Sequence, residues 1–328
     1  MKSYLILIFC CAVSILFIPL IMIGAKPSQK PQASTTNSAT IITTQKSTKK
    51  EETISVFRTV SNKTESIPML EYVCGSVAAE MPLAYHEEAI KAQAVACHTN
   101  ALRQKSISKA QDKSHISDDT TVHQGYIDKA QRKEKWGEDF EKYENKLQKA
   151  VKEVENEALY YKDDLCVAAF CAISNGKTEN AESLWNTPIP YLTTVESEGD
   201  ALSPRYLSTL SFSKDEFNEI AIKIKALENP ADDLTDVIKI TKKSSAGTVL
   251  KAEINGKEFT GEEIRKAFSL RSPTFKIETT NNTVTFTVYG YGHGIGMSQY
   301  GANYLAENGY SYQEILKHYY TGAKIIEN

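Results

Sequence analysis

The stretch GSVAAEMPLAYHEEAIKAQAVACHTNAL, residues 75–102, predicts two consecutive helices, Met69–Met81 and Tyr85–Lys105. Apolar residues recur at helical spacing in the second of them. Pro82 separates the two because proline has no amide N–H to continue a helix. A single carboxylate, Glu80, lies among alanine and methionine at this break. Glu80 is either a solvated helix end or an acid whose proton is kept for chemistry, and the stretch alone leaves both open.

Outward from this pair, the pattern indicates a mixed α+β protein. Ile54–Val60 is predicted to be a first strand, and Leu165–Ile173 (LCVAAFCAI) a buried strand. A long helix is predicted over Glu134–Ala158, where apolar residues alternate steps of four and three and so form one stripe. The stripe consists of Trp136, Phe140, Tyr143, Leu147, Val151 and Val154.

Residues 208–288 differ in sequence pattern from the preceding part of the chain and are predicted to form an inserted, smaller β-rich α+β lobe. Strands are predicted at 237–241 and 249–254, and a second hairpin turns at Asn281-Asn282. Asn255-Gly256 is a hairpin-type turn. Capping boxes predict helix starts at Ser213 with Glu216, at Thr260 with Glu263 and, beyond the lobe, at Ser311 with Glu314.

The N-terminal segment is predicted to be a membrane anchor followed by a linker. The run Tyr4–Ala25 carries no charge and has about the 20 apolar residues that span a bilayer as a helix. Residues 26–52 are rich in Thr, Ser, Lys and Gln, which predicts a disordered spacer. We therefore expect an anchor at 1–25, a linker at 26–52, a helix-rich catalytic domain at 53–207 plus 289–328, and the lobe at 208–288.

Composition excludes some classes of function. The 328 residues carry a net charge of −3, so no global basic surface points to nucleic acid. Beyond the anchor the cysteines are too few for a disulfide scaffold; they are Cys74, Cys97, Cys166 and Cys171. The sequence lacks the GxSxG, HExxH and Walker motifs of common hydrolases and nucleotide-binding proteins. No cofactor is predicted.

Four blocks, in this order, resemble the stage II sporulation protein D family over Ile54–Ile326. They read EYVCGSVAAEMP, EEAIKAQAVACHTNAL, SNGKTENAESLW with PYL, and YGHGIGMSQYGA with SYQEILKHYYTGAKI. The resemblance implies a lytic transglycosylase that cuts the MurNAc–GlcNAc linkages of peptide-stripped peptidoglycan strands during forespore engulfment. The family's catalytic glutamate falls on Glu80. Asp119 and Gln124 also match a family stretch, although ordinary loop polarity would account for them equally well.

The resemblance also implies a location and partners. The chain would be a single-pass protein of the cell membrane with its catalytic domain between the mother-cell and forespore membranes. Its partners would be glycan strands, an amidase (stage II sporulation protein P) and a membrane scaffold (stage II sporulation protein M). The alternative function is a non-catalytic, glycan-binding activator of a cell-wall amidase, because relatives in vegetative cells modulate amidases.

The remaining site predictions concern sugar binding and metals. The predicted substrate-binding residues are Ser174, Asn175, Lys177, Thr178, Tyr191, His293, Ser298, Gln299 and Tyr300. Ordinary turn chemistry would explain Ser174 and Asn175 equally well. A structural role would explain His293 equally well. The family usually has Arg at His98, Gly at Asn175 and often His at Cys171. Some relatives hold zinc near 117–123, but that segment contains no cysteine here, so no metal is predicted there.

Overall fold

The computed structural model describes residues 52–109, 112 and 114–327. The predicted anchor at 1–25 and the predicted linker up to residue 51 lie outside the described residues. Within the described ranges, no helix has both the length and the apolar character needed to cross a membrane.

The chain starts with a hairpin of β1 (Thr53–Arg58) and β2 (Lys63–Pro68). The prediction of a first strand at Ile54–Val60 is confirmed, although the observed strand ends two residues earlier than predicted, at Arg58. β2 was not predicted because it carries little apolar signal: of its six residues only Ile67 is buried. Two helices follow, α1 (Met69–Glu80) and α2 (Glu87–Ile107), and confirm the predicted pair to within two residues.

The region after α2 corrects one prediction. A short strand, β3 (Ile116–Ser117), pairs in parallel with β1, and then α3 (Lys129–Trp136) and α4 (Phe140–Glu153) replace the single helix predicted over 134–158. Gly137, with φ of 51°, breaks the helix, and Ala158 already lies in β4 (Glu157–Tyr161). The apolar stripe itself is confirmed, since its members are buried or pack against the core.

The predicted strand at 165–173 is also wrong in its extent. It is split into β5 (Asp164–Leu165) and β6 (Phe170–Cys171), with a single bridge from Ile173 to Tyr291, and the residues between β5 and β6 are irregular. Cys166, Ala168 and Ile173 are nevertheless buried, as an apolar run requires. Apolar content alone therefore identified a buried segment but could not specify its backbone conformation. A short helix, α5 (Ala181–Trp185), follows.

The next segment contains two antiparallel three-stranded sheets. Its elements are β7 (Leu207–Ser213), α6 (Lys214–Lys223), β8 (Ile238–Lys243), β9 (Val249–Ile254), β10 (Lys257–Phe259), α7 (Gly261–Ala267), β11 (Phe275–Thr279) and β12 (Thr283–Tyr289). The strand orders are β10-β9-β8 and β11-β12-β7. Both predicted hairpins and both predicted capping boxes are present. β7 was missed because no residue in it is fully buried.

The C-terminal part returns to the helical half of the molecule. It consists of β13 (Met297–Ser298), α8 (Gln299–Glu307), α9 (Tyr312–Tyr319) and β14 (Lys324–Glu327). β13 pairs in parallel with β6, and β14 pairs antiparallel with β4. The capping box that opens α9 at Ser311 is confirmed. These pairings place the glycine-rich segment that precedes α8 against the loop that follows β6.

Apolar side chains form two separate clusters. The larger joins α1, α2 and α4 with the C-terminal helices, and the smaller lies entirely within residues 217–288. The α+β class is thus confirmed. The division into domains at residues 207 and 289 stays a prediction.

Candidate active site

Glu80 is the last residue of α1, and its position follows from Pro82. The backbone N–H of Met81 still bonds to Val77 at 2.9 Å, but Pro82 has no N–H for the carbonyl of Ala78. The ammonium group of Lys135 bonds to that carbonyl instead, at 2.7 Å. The broken helix thus ends at a carboxylate whose side chain is half-buried, with a cation of α3 nearby.

The two carboxyl oxygens of Glu80 have different surroundings. Oε1 accepts a hydrogen bond from the backbone N–H of Gly125 at 2.5 Å, whereas Oε2 makes none within the described part of the chain. Burial raises the pKa of Glu80 above its usual value, and the Gly125 bond and the charge of Lys135 oppose this shift without cancelling it. Glu80 therefore retains a proton more readily than an exposed glutamate, with Oε2 left to carry it.

Gln124 holds the loop that brings Gly125 to Glu80. Its amide nitrogen donates to the hydroxyl of Tyr72 at 3.2 Å and to the carbonyl of Cys97 at 3.0 Å. Its amide oxygen accepts from Asn100 at 3.3 Å. Gln124 thus ties the loop to both α1 and α2. Asp119, the other residue of this stretch, accepts from the backbone and hydroxyl of Thr121 and so forms a local turn.

Gly125 gives a direct test of this geometry. A β-carbon at residue 125 would lie 3.0 Å from Oε1 of Glu80 and 3.1 Å from the β-carbon of Ala79. Gly125→Ala should therefore push the carboxyl aside by a few tenths of an ångström. If Glu80 has the catalytic role that the family resemblance implies, the rate of strand cleavage should then fall about tenfold or more. Steady-state rates and thermal unfolding should be measured together. A variant with unchanged rate and stability would contradict a positioning role for this contact.

Two predicted binding residues, Ser174 and Ser298, turn inward to a carboxylate that the sequence did not reveal. Their hydroxyls donate to Asp200, at 2.5 Å and 2.7 Å respectively, and all three side chains are buried. Burial raises the pKa of Asp200, and the serine hydrogen bonds oppose the shift. Asp200 lies in a short 3-10 helix, Glu198–Leu202, and a single aspartate in such a segment carries no distinctive sequence pattern. In the structure the two serines join the loop after β6 to the start of α8.

Three further predicted residues are buried, and the side chain of each makes a hydrogen bond inside the protein. Thr178 donates to the carbonyl of Thr193 at 3.0 Å, the hydroxyl of Tyr191 accepts from Val167 N–H at 2.7 Å, and Gln299 donates to Gln93 at 3.3 Å. Their contact with substrate stays a prediction. In the structure each of them holds a loop or helix in place.

The other predicted residues are at least partly exposed. Asn175 bonds to the carbonyl of Ala246 at 3.0 Å, and Lys177 forms an exposed ion pair with Glu196 at 2.8 Å. Nδ1 of His293 accepts from Ile295 N–H at 3.0 Å. Burial, followed by the charge of Arg265, lowers the pKa of His293 to about 4, so its ring is neutral near pH 7.

Tyr300 connects this second group to the segment that follows Glu80. Its ring meets that of Tyr85 edge-on, with centroids 6.1 Å apart. The backbone N–H of His86 donates to Asn303 of α8 at 2.7 Å. The structure therefore places the turn after α1 beside the first turn of α8.

The histidines considered for metal binding contact backbone groups, and the cysteines considered for it are buried. Nδ1 of His98 lies 2.8 Å from the carbonyl of Glu157, and those of His115 and His123 accept from backbone N–H groups. Cys97 and Cys171 are buried free thiols whose pKa values burial raises. Across the described residues, no three His, Cys, Asp or Glu side chains are arranged to hold a metal ion.

Comparison with known proteins shows the class of protein to which this chain is similar. A family model described as a stage II sporulation protein matches residues 58–161, a span that contains Glu80, Gln124 and Gly125. The chain is 38% identical to stage II sporulation protein D of Bacillus amyloliquefaciens, over 100% of this chain and 96% of that protein. It is 37% identical to that of Bacillus subtilis (strain 168), with the same coverage.

The chain therefore belongs to the stage II sporulation protein D family, a family of sporulation proteins, as its motif blocks predicted. It is also 27% identical to the amidase enhancer of Bacillus subtilis (strain 168), over 76% of this chain and 40% of that protein.

Proposed function

We propose that this chain is a membrane-anchored lytic transglycosylase. It would cut MurNAc–GlcNAc linkages in peptide-stripped glycan strands during forespore engulfment and leave 1,6-anhydroMurNAc ends. The observation that carries the proposal is the state of Glu80: burial raises the pKa of its carboxyl, and Oε2 has no hydrogen bond to any residue that the structure describes. A general acid at neutral pH needs a raised pKa and an accessible proton.

The proposed reaction uses this one carboxyl twice. Glu80 donates its proton to the glycosidic oxygen, the bond between that oxygen and C1 of MurNAc breaks, and GlcNAc leaves with a free 4-hydroxyl. The resulting carboxylate removes the proton of the MurNAc C6 hydroxyl while O6 bonds to C1. Glu80 ends protonated as it began, and no water is consumed.

The surroundings of Glu80 favour this reaction over hydrolysis. A glycosidase that uses water needs a second carboxylate to activate the water or to attack the sugar. Among the described residues no other acidic side chain contributes to the pKa of Glu80; burial, the Gly125 N–H and Lys135 account for it. A nucleophile within the substrate removes the need for a second acid.

The test is digestion of purified, peptide-free glycan strands by the full-length chain, with mass spectrometry of the new ends. We expect anhydro ends. Reducing ends would indicate a hydrolase, and the absence of products would favour the second candidate.

The second candidate is a non-catalytic, glycan-binding activator of a cell-wall amidase. It is favoured by the similarity to the amidase enhancer. A binding module has no need of a protonated carboxyl, so the surroundings of Glu80 favour the first candidate. Stimulation of an amidase by a Glu80→Gln chain would support the second.

The proposal includes location and partners. An anchor at 1–25 would hold the globular part outside the cytoplasm, between the mother-cell and forespore membranes. There it would act after stage II sporulation protein P had removed the stem peptides, with stage II sporulation protein M as a membrane scaffold.

The raised pKa of Glu80 predicts a pH dependence of both rate and stability. The rate should fall as pH rises through that pKa, because the acid loses its proton. His293, with its pKa of about 4, should add no change near neutrality. Between the pKa of a free glutamate and that of Glu80, the folded chain binds more protons than the unfolded chain. Stability should therefore also fall with rising pH in this window.

The measurements are the rate constant for strand cleavage and the unfolding midpoint, each as a function of pH. Glu80→Gln is the control for stability, because it lacks this titration and its midpoint should change less with pH. A cleavage rate that rises with pH across neutrality would contradict the assignment of Glu80 as the acid.

A further inference from the structure

We propose that Arg205 and Arg271 bind the free lactyl carboxylate of MurNAc and so make the chain select strands without stem peptides. The inference rests on the proposed function. In a peptide-bearing strand the lactyl group is an amide, and removal of the peptide leaves a carboxylate on each MurNAc. A site that binds this group would therefore distinguish stripped from unstripped strands by charge.

Both arginines lie at the ring of Tyr291, in the glycine-rich segment. Their guanidinium carbons are 5.5 Å and 5.9 Å from the ring centroid, within cation–π distance. Arg205 comes from the segment before β7 and Arg271 from the segment after α7, so residues distant in sequence meet here. Arg205 is exposed, and Arg271 and Tyr291 are half-buried.

Neither guanidinium has an acidic partner among residues 52–109, 112 and 114–327. The contrast is with Arg58, Arg132 and Arg265, each of which pairs with at least one carboxylate. An unpaired guanidinium keeps its fork of N–H donors for a ligand, and the planar fork matches a carboxylate. Because the chain as a whole is negative, with a net charge of −3, a strand of carboxylates would be attracted only locally.

The pair is also near the candidate active site. The backbone of Tyr291 exchanges hydrogen bonds of 2.8 Å and 3.0 Å with Ile173, the residue before the predicted binding turn. Arg205 also acts on Tyr85. Burial raises the pKa of the Tyr85 hydroxyl, and the positive charge of Arg205 opposes that rise. Tyr85 follows Glu80 in the turn after α1. A strand bound at Glu80 could therefore present a carboxylate to these arginines.

The test measures binding rather than cleavage, with the full-length chain carrying Glu80→Gln so that strands remain intact. The probes are peptide-free strands and the same strands with every lactyl carboxylate converted to a neutral methylamide. We expect the methylamide strands to bind about tenfold more weakly or worse. Arg205→Gln and Arg271→Gln should each weaken binding of the acid strands similarly, and together they should remove the difference between the probes.

Lys63→Gln is the matched control, because it removes one exposed positive charge from β2 and should leave both affinities unchanged. Equal binding of the two probes by the parent chain would overturn the inference while leaving the proposed function standing. Unchanged binding of acid strands by the double variant would do the same. Failure of the parent chain to bind either probe would overturn both.

Discussion

Replacing Glu80 with glutamine should lower strand cleavage by about 10²–10⁴-fold or more, because that is the usual contribution of general acid–base catalysis. The larger loss is expected since one group makes both proton transfers. The amide is nearly isosteric with the carboxyl and can still accept the Gly125 N–H through its oxygen, so the fold and glycan binding should persist. The measurements are cleavage rate, strand affinity and thermal unfolding on the same full-length protein.

Glu87→Gln is the matched control. Glu87 lies in the first turn of α2, seven residues from Glu80, and pairs with the exposed ammonium of Lys149 at 2.8 Å. Its loss should reduce stability by less than about 1 kcal/mol and leave the rate unchanged. A Glu80→Gln chain that cleaves at near the parental rate would refute the catalytic assignment despite the family membership.

The position of Glu80 could be predicted from sequence because its cause is local. Pro82 ends α1 within two residues of the carboxylate, and the end was predicted to within one residue. The partner of Glu80 could not be predicted. Gly125 contributes only a backbone N–H, which every residue except proline has, and it lies 45 residues away along the chain.

The binding residues show a different limit. The sequence predicts Ser174 as a binding residue because it lies in a polar turn after a buried strand, and Ser298 because its hydroxyl is a donor for sugar hydroxyls. Their orientation toward Asp200 depends on the parallel pairing of β6 with β13, which is non-local. The break at Gly137 had a local signal, but the continuous apolar stripe obscured it: the stripe spans both helices, so periodicity alone predicted one.

Arg132→Met should destabilise the protein by about 3–5 kcal/mol, because it leaves a buried carboxylate without its partner. The Arg132 side chain is fully buried and forms four charged hydrogen bonds, two to Glu144 at 2.9 Å each and two to Glu71 at 2.8 Å and 3.2 Å. Glu144 is only 5% exposed. Burial alone would raise the pKa of Glu144, yet Arg132 holds it below its usual value.

This cluster joins α1, α3 and α4, and α3 also supplies the lysine that bonds to Ala78 beside Glu80. Chemical denaturation of the full-length chain measures the loss. Lys149→Met is the control, because it removes only ion pairs to Glu87 and Glu153 whose lysine is 63% exposed, and it should change stability little. Adding Glu144→Leu to Arg132→Met should restore part of the stability, since the buried charge is then absent. If Arg132→Met is no more harmful than Lys149→Met, the cluster does not hold these helices together.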